Sequence, residues 1–287
     1  MKQNKDQMRK ICGWILFLLS IGFFCLQMGY LLVHSRFQVE YSDNRIFYVV
    51  NILCVLFAGL AIHFLVSIAK KAKMLGGGML LLFIFINVGL LFYSNQQIKN
   101  IVSLSPNLKH ILSIKETTET GEAIVYRTYF GILARPKERL PYPITKEYKV
   151  DWLAKDVAAF TYKAKDDSIH QYIGTYGDRG GGGYYYVGPS IYGNWKGNNT
   201  EVISNQEGIS VFSNGKMEKF DWEHIVQFGT LAVVLTANDQ AVWTIFLNGN
   251  FEIHSAATVP PTGEISLYKA TMEKIEPIKL YYKSSNF

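Results

Sequence analysis

Cysteine is absent after position 54: Cys12, Cys25 and Cys54 are the only three in 287 residues, and all lie in the apolar first third. The rest of the chain therefore has no disulfide and no thiolate for a metal or a nucleophile. This excludes the disulfide-stapled secreted scaffolds. Excess charge is also absent from most of the chain. Residues 95–287 hold 20 Lys and Arg against 20 Asp and Glu, so the whole net charge of +6 lies in residues 1–94. A basic excess beside apolar segments reads as membrane topology rather than contact with nucleic acid.

Catalytic signatures are missing as well. The histidines after the apolar third, His110, His170, His224 and His254, form no H-E-x-x-H pair, and no G-x-S-x-G elbow occurs. The carboxylates Asp166, Asp167, Asp178 and Asp221 sit in turn-like or strand-end contexts, where they are ordinarily solvated. Glu223 and His224 are adjacent, so on a strand they face opposite ways. The sequence thus assigns no catalytic residue, no metal ligand and no cofactor, and the expectation is a protein that is not an enzyme.

Three stretches contain no Asp, Glu, Lys or Arg: residues 11–33 (ICGWILFLLSIGFFCLQMGYLLV), 46–69 and 75–94. A helix of about 20 apolar residues crosses the hydrocarbon core, so each is long enough to span. The first has a basic front end like a signal peptide, but its apolar run is long and no small-x-small site follows it. It reads as a retained helix. The few polar groups inside, Gln27, Asn51, His63 and Asn87, suit contacts between helices better than an ion path.

Direction follows from the short loops. Lys2, Lys5, Arg9 and Lys10 lie before the first span, and Lys70, Lys71 and Lys73 lie between the second and third. The loop between the first and second has only Arg36 and Arg45. Basic residues stay in the cytoplasm. The expectation is a cytoplasmic N-terminus and a plasma-membrane protein whose residues after the third span lie outside. The expected partner is the lipid bilayer, with another membrane protein or an envelope polymer or peptide as further candidates. No nucleic acid and no nucleotide is expected.

After residue 94 the pattern changes. Short β-branched and aromatic runs such as AIVYRTYFGIL (123–133), EVISN (201–205) and AVWTIFL (241–247) alternate with turn residues. The turns include Asn214-Gly215, Asn238-Asp239 and Gly197-Asn198-Asn199. The expected fold is an α-helical membrane anchor of three transmembrane helices plus a mainly-β C-terminal domain, a bent antiparallel sheet, sandwich or barrel. Its parts are a basic tail (1–10), the anchor (11–94), a connector (95–122) and a β-rich extracytoplasmic domain (123–287). Residues 133–149, with three prolines and seven charges, read as a loop, and residues 95–113 as a possible extension of the third helix ended by Pro106.

GDRGGGGYYYVGPSIYGNW (177–195) raises the question of a ligand site. A phosphate loop needs a helix N-terminus, and a P-loop a following Lys and Ser or Thr. Here the glycines lead into Tyr184-Tyr185-Tyr186-Val187, which favours a strand. One reading is a hairpin with a flexible tip. The other is an aromatic binding surface of Tyr172, Tyr176, Tyr184, Tyr186, Tyr192 and Trp195, with Asp178 and Arg179 at its lip.

One stretch carries a family likeness. EVISNQEGISVFSNGKMEKFDWEHIVQFG (201–229) runs strand, strand, Asn214-Gly215 turn, strand, then Trp222, an acid and Ile225. It resembles bacterial PH-like domains, where a G-x-x-V strand and an N-G hairpin precede W-(E/D)-x-I. The resemblance implies a bent barrel with an adaptor or sensor role, usually cytoplasmic, which conflicts with the direction read from charge.

Overall fold

The computed structural model describes residues 2–67, 69–145, 147–177, 186–253 and 260–284. The chain divides into two compact units. The first is 1–102 with 113–139, and the second is 103–112 with 140–287.

The first unit opens with α1 (Lys2–Phe37), β1 (Glu40–Tyr41), α2 (Arg45–Leu65) and α3 (Lys70–Gln97). All three helices are long and apolar enough to cross a membrane. Their large apolar side chains point outward rather than into a protein core; Met74 and Phe85, for example, are exposed. Soluble proteins rarely leave that much apolar surface uncovered. Polar residues do join the helices. Asn51 on α2 donates to Asn87 on α3 at 3.3 Å, Ser20 on α1 donates to the Cys54 carbonyl at 2.9 Å, and Arg9 donates to the His63 carbonyl at 3.0 Å.

α3 ends at Gln97, and β2 (Ile98–Leu104) begins at the next residue. With β3 (Ile111–Thr117), β4 (Ala123–Tyr129) and β5 (Leu133–Arg139) it forms a five-stranded sheet of order β1-β5-β4-β3-β2. Two expectations are corrected here. The third helix does not extend toward Pro106, because Ile98–Leu104 is strand, and the segment expected as a loop from 133 is strand to Arg139. Pro136 misled the sequence reading. It lies opposite Tyr126 beside a register shift, a bulge position where the missing N–H of proline is tolerated. Phe130 and Gly131 (φ 51° and 77°) close the β4–β5 hairpin in the left-handed region typical of a type I′ turn.

The second unit is built from two sheets. β6 (Tyr148–Ala154), β7 (Val157–Lys163) and β8 (Ile169–Thr175) form a three-stranded meander. One helical turn, α4 (Val187–Ser190), follows. Then come β9 (Gly193–Gly197), β10 (Thr200–Asn205), β11 (Gly208–Ser213), β12 (Lys216–Asp221), a 3-10 turn (Trp222–His224), β13 (Ile225–Phe228), β14 (Ala232–Ala237), β15 (Gln240–Leu247), β16 (Glu264–Lys269) and β17 (Ile278–Ser284). Their order is β12-β11-β10-β9-β17-β16-β15-β14-β13.

This sheet curls into a near-closed barrel. The last strand returns to pair with β9, while β12 and β13 form the open seam. Trp243 on β15 donates to Glu218 on β12 at 2.6 Å, although the two strands lie far apart in the order. Alternate residues fill the interior: Trp195, Val202, Ile209, Val211, Val233, Leu235, Ile245, Leu247, Ile265, Leu267 and Leu280 are buried together. The meander packs on the outer face of β14 to β16 through Ala159, Ile173, Val234, Phe246 and Tyr268. Three hairpins turn as their sequences require. Asn198-Asn199, Asn214-Gly215 and Asn238-Asp239 all have positive φ at both positions.

Candidate functional site

Gly177 and Tyr186 are the described residues that flank the glycine stretch. Both ends are held by the corner between β13 and β14. Thr230 donates to the Gly177 carbonyl at 3.2 Å, and the Val187 N–H donates to Gln227 Oε1 at 3.0 Å. Gln227 is itself oriented by donation to the Gly229 carbonyl at 2.8 Å. Gly229 has φ +56°, and a Cβ there would collide with Thr175 at the end of β8. Asp178, Arg179 and Tyr184 lie outside the described residues.

From Val187 to Ser190 the chain is a helical turn, not a strand; Tyr184 and Tyr185, where the returning strand was expected to begin, lie outside the described residues. Pro189 sits in the first turn, where its missing N–H costs nothing, and Ser190 donates to the Tyr186 carbonyl at 2.6 Å. Tyr186 caps this turn and is 63% exposed. Tyr192 follows the turn and lies 5.9 Å, centroid to centroid, from Trp222. Trp222 covers Gly188 so tightly that a Cβ would strike its ring, and its indole N–H donates to the Gln206 carbonyl at 2.9 Å. Tyr186, Tyr192 and Trp222 thus frame α4, with the exposed Tyr186 ring in front and two half-buried rings behind it. Trp222 was missing from the surface expected from sequence. In the sequence it stood out only as the Trp of the PH-like pattern, not as part of an aromatic surface.

The other expected members lie elsewhere. Trp195 is 0% exposed inside the barrel, donates to the Ile191 carbonyl at 2.8 Å and lines no surface. Tyr172 is buried, edge-on to Phe228 at 5.3 Å. Tyr176 stacks between His110 (5.0 Å) and Trp152 (5.6 Å) and donates to the Ile111 carbonyl at 2.9 Å. Burial pushes the Tyr176 phenol well above its ordinary pKa, so it stays protonated and keeps the proton that it donates to Ile111. The five described members, Tyr172, Tyr176, Tyr186, Tyr192 and Trp195, therefore do not form one surface. Strand alternation and barrel curvature send Trp195 inward.

Two polar groups deserve weighing as chemistry. Ser168 Oγ lies 2.5 Å from Asp166 Oδ1 and 2.7 Å from His170 Nε2. A hydroxyl has one proton, and here the carboxylate accepts it, leaving the imidazole to donate to Oγ. In a nucleophilic triad the imidazole takes the serine proton. This order instead closes the β7–β8 turn, helped by the Ser168 N–H donating to Asp166 at 3.1 Å. Elsewhere in the same unit Lys149 donates to the Tyr268 hydroxyl at 2.8 Å, which donates to Asp151 at 2.6 Å. Desolvation and the Asp151 carboxylate both raise the Tyr268 phenol. All three groups are satisfied, and the network ties β6 to β16. Among the described residues no group of three or more His, Cys, Asp or Glu is placed to hold a metal ion.

No protein-family model, no curated protein and no solved structure matches this chain. Among the described residues of the second unit, Tyr186 is the most exposed aromatic side chain, and Tyr192 and Trp222 lie around the same helical turn.

Proposed function

We propose that the protein is a multi-pass plasma-membrane protein that displays a β-rich domain outside the cytoplasm to bind or sense an envelope polymer or peptide. The basic residues before α1 and between α2 and α3 support a cytoplasmic N-terminus, and an odd number of crossings carries the β domain to the other side. The observation that carries the binding role is Tyr186. It is exposed, and it stands on a helical turn whose entry is bonded to Gln227 and whose floor is Trp222. Tyrosine on a rigid frame offers stacking area at low entropy cost.

The test is thiol labelling in a background with Cys12, Cys25 and Cys54 replaced. Ser213→Cys, at the β11–β12 turn, reacts with a membrane-impermeant maleimide in intact cells on this reading. Reaction only after lysis overturns it. In the same background Tyr186→Ala lowers cosedimentation with purified cell-wall polymer, and unchanged cosedimentation removes Tyr186 from the binding role.

A second reading is a cytoplasmic PH-like adaptor. The order β10, β11, Asn214-Gly215, β12, Trp222, β13 supports it, as does the curl of the sheet that contains these strands. Labelling only after lysis would favour it. A membrane accessory role of the immunity type, acting through the helices, predicts loss of function from changes in the spans with the Tyr186 surface intact.

A further inference from the structure

The loop between α1 and α2 does not stand away from the helices. Tyr41 on β1 stacks on Tyr30 of α1, with ring centroids 4.0 Å apart, and its hydroxyl donates to Gln27 at 3.2 Å. Tyr30 and Gln27 both lie in the apolar run that ends at Val33. β1 is therefore held close to the level at which α1 leaves the hydrocarbon. β1 in turn pairs with β5, Tyr41 opposite Leu133, and the Ser42 N–H donates to the Ile132 carbonyl at 2.8 Å. These contacts bring the β4–β5 turn to the end of a spanning helix.

That turn carries an unusual surface. Phe130 at its tip is 97% exposed, flanked by exposed Tyr129 and Ile132. Behind the tip, Arg127 and Arg135 are directly opposite each other across β4 and β5. Like charges in that position destabilise a strand pair unless something neutralises them. The Arg135 guanidinium carbon lies 5.8 Å from the ring of Phe37, the last residue of α1, and Arg36 adds a third positive charge beside it. The nearby acids are engaged elsewhere: Asp43 pairs with Arg45 at 2.5 Å and Glu40 with Lys115 at 2.5 Å. Among the described residues, Arg36, Arg127 and Arg135 form no ion pair.

We propose that the β4–β5 hairpin is an interfacial membrane anchor: Phe130 and Ile132 enter the headgroup region beside α1, and Arg127, Arg135 and Arg36 bind the phosphates of anionic lipids. Aromatic rings sit at the headgroup level, and basic side chains reach phosphate from there. The anchor holds the sheet that continues α3 against the bilayer. This rests on the reading that the helices span a bilayer.

The test uses the full chain in nanodiscs, with the native cysteines replaced and an environment-sensitive fluorophore on Phe130→Cys. Leu18→Cys in α1 and Ser213→Cys in the β domain serve as references. Lipids carrying a nitroxide near the headgroup quench the Phe130 label far more than the Ser213 label. In discs containing phosphatidylglycerol, Arg127→Gln and Arg135→Gln each shift the inserted-to-exposed ratio about fivefold toward exposed. Quenching at position 130 no greater than at 213, with Leu18 quenched, overturns the anchor while the spanning reading stands. No quenching at Leu18 overturns the spanning reading and the anchor with it. Equal quenching in neutral and anionic discs overturns the arginine–phosphate assignment. Protection of the Phe130 label from an aqueous quencher without quenching by lipid assigns the tip to a protein contact, and overturns the lipid assignment.

Discussion

The Trp222 ring lies so close to Gly188 that a Cβ there would come within 2.3 Å of it. This contact sets the position of α4, and with it the directions of Tyr186 and Tyr192. Gly188→Ala forces Trp222 or the helical turn to move. Overpacking of this kind costs about 1–3 kcal/mol. The expected outcome is a lower melting temperature in detergent together with loss of any Tyr186-dependent binding. Stability unchanged from wild type would show that Trp222 yields freely.

Two of the expected surface aromatics behave oppositely when truncated. Trp195 fills the barrel interior, so Trp195→Ala costs about 3–5 kcal/mol and unfolds the domain near physiological temperature. Tyr186 is exposed, and Tyr186→Ala changes stability by about 0.5 kcal/mol or less. Chemical denaturation followed by tryptophan fluorescence separates the two. Comparable losses for both would contradict the placement of Tyr186.

The pair Asn51–Asn87 tests the helix packing. Asn87 is buried, and it also donates to the Phe83 carbonyl of its own helix at 3.0 Å. Hydrogen bonds between spanning helices are worth about 0.6 kcal/mol on average. Asn51→Leu should cost about that much, and a double-mutant cycle with Asn87→Leu should show coupling of similar size. Zero coupling in thermal unfolding in micelles would mean that the bond contributes nothing.

His170 gives the chain a pH dependence. It is buried against Tyr142, with ring centroids 3.9 Å apart, and bonded to Ser168. Desolvation holds its imidazole below the ordinary value, against the opposing pull of Asp166 and Asp239. As pH falls through about 6.5 the unfolded chain takes up this proton before the folded one does. The contribution is therefore present above that value and is lost as pH drops toward the folded pKa. Between about pH 8 and about pH 5 the wild type should lose more thermal stability than His170→Gln. Equal losses would assign the pH dependence to other groups.

Much of the architecture was legible because it depends on neighbours in sequence. A run such as residues 11–33 is apolar and long enough to span whatever surrounds it. Asn214-Gly215 turns the chain because those two residues tolerate positive φ better than others do. Strand runs such as AVWTIFL declare themselves by β-branched and aromatic content. Proline and charge misled where only pairing could decide. The stretch from Leu133 is a strand because β4 and β1 flank it and a bulge accommodates Pro136.

By itself, then, the sequence determined three membrane-length helices, the mainly-β character of the remainder and the sites of its tight turns. These follow from hydrophobic length, residue propensity and allowed φ, all properties of short segments. Only the tertiary structure decided that β17 returns to β9, that Trp195 and Tyr172 turn inward while Tyr186 turns outward, that Trp222 floors α4, and that the β4–β5 turn lies beside the end of α1. The direction of a side chain on a curled sheet depends on which distant strands pair and how far the sheet bends, and no local pattern of residues encodes that.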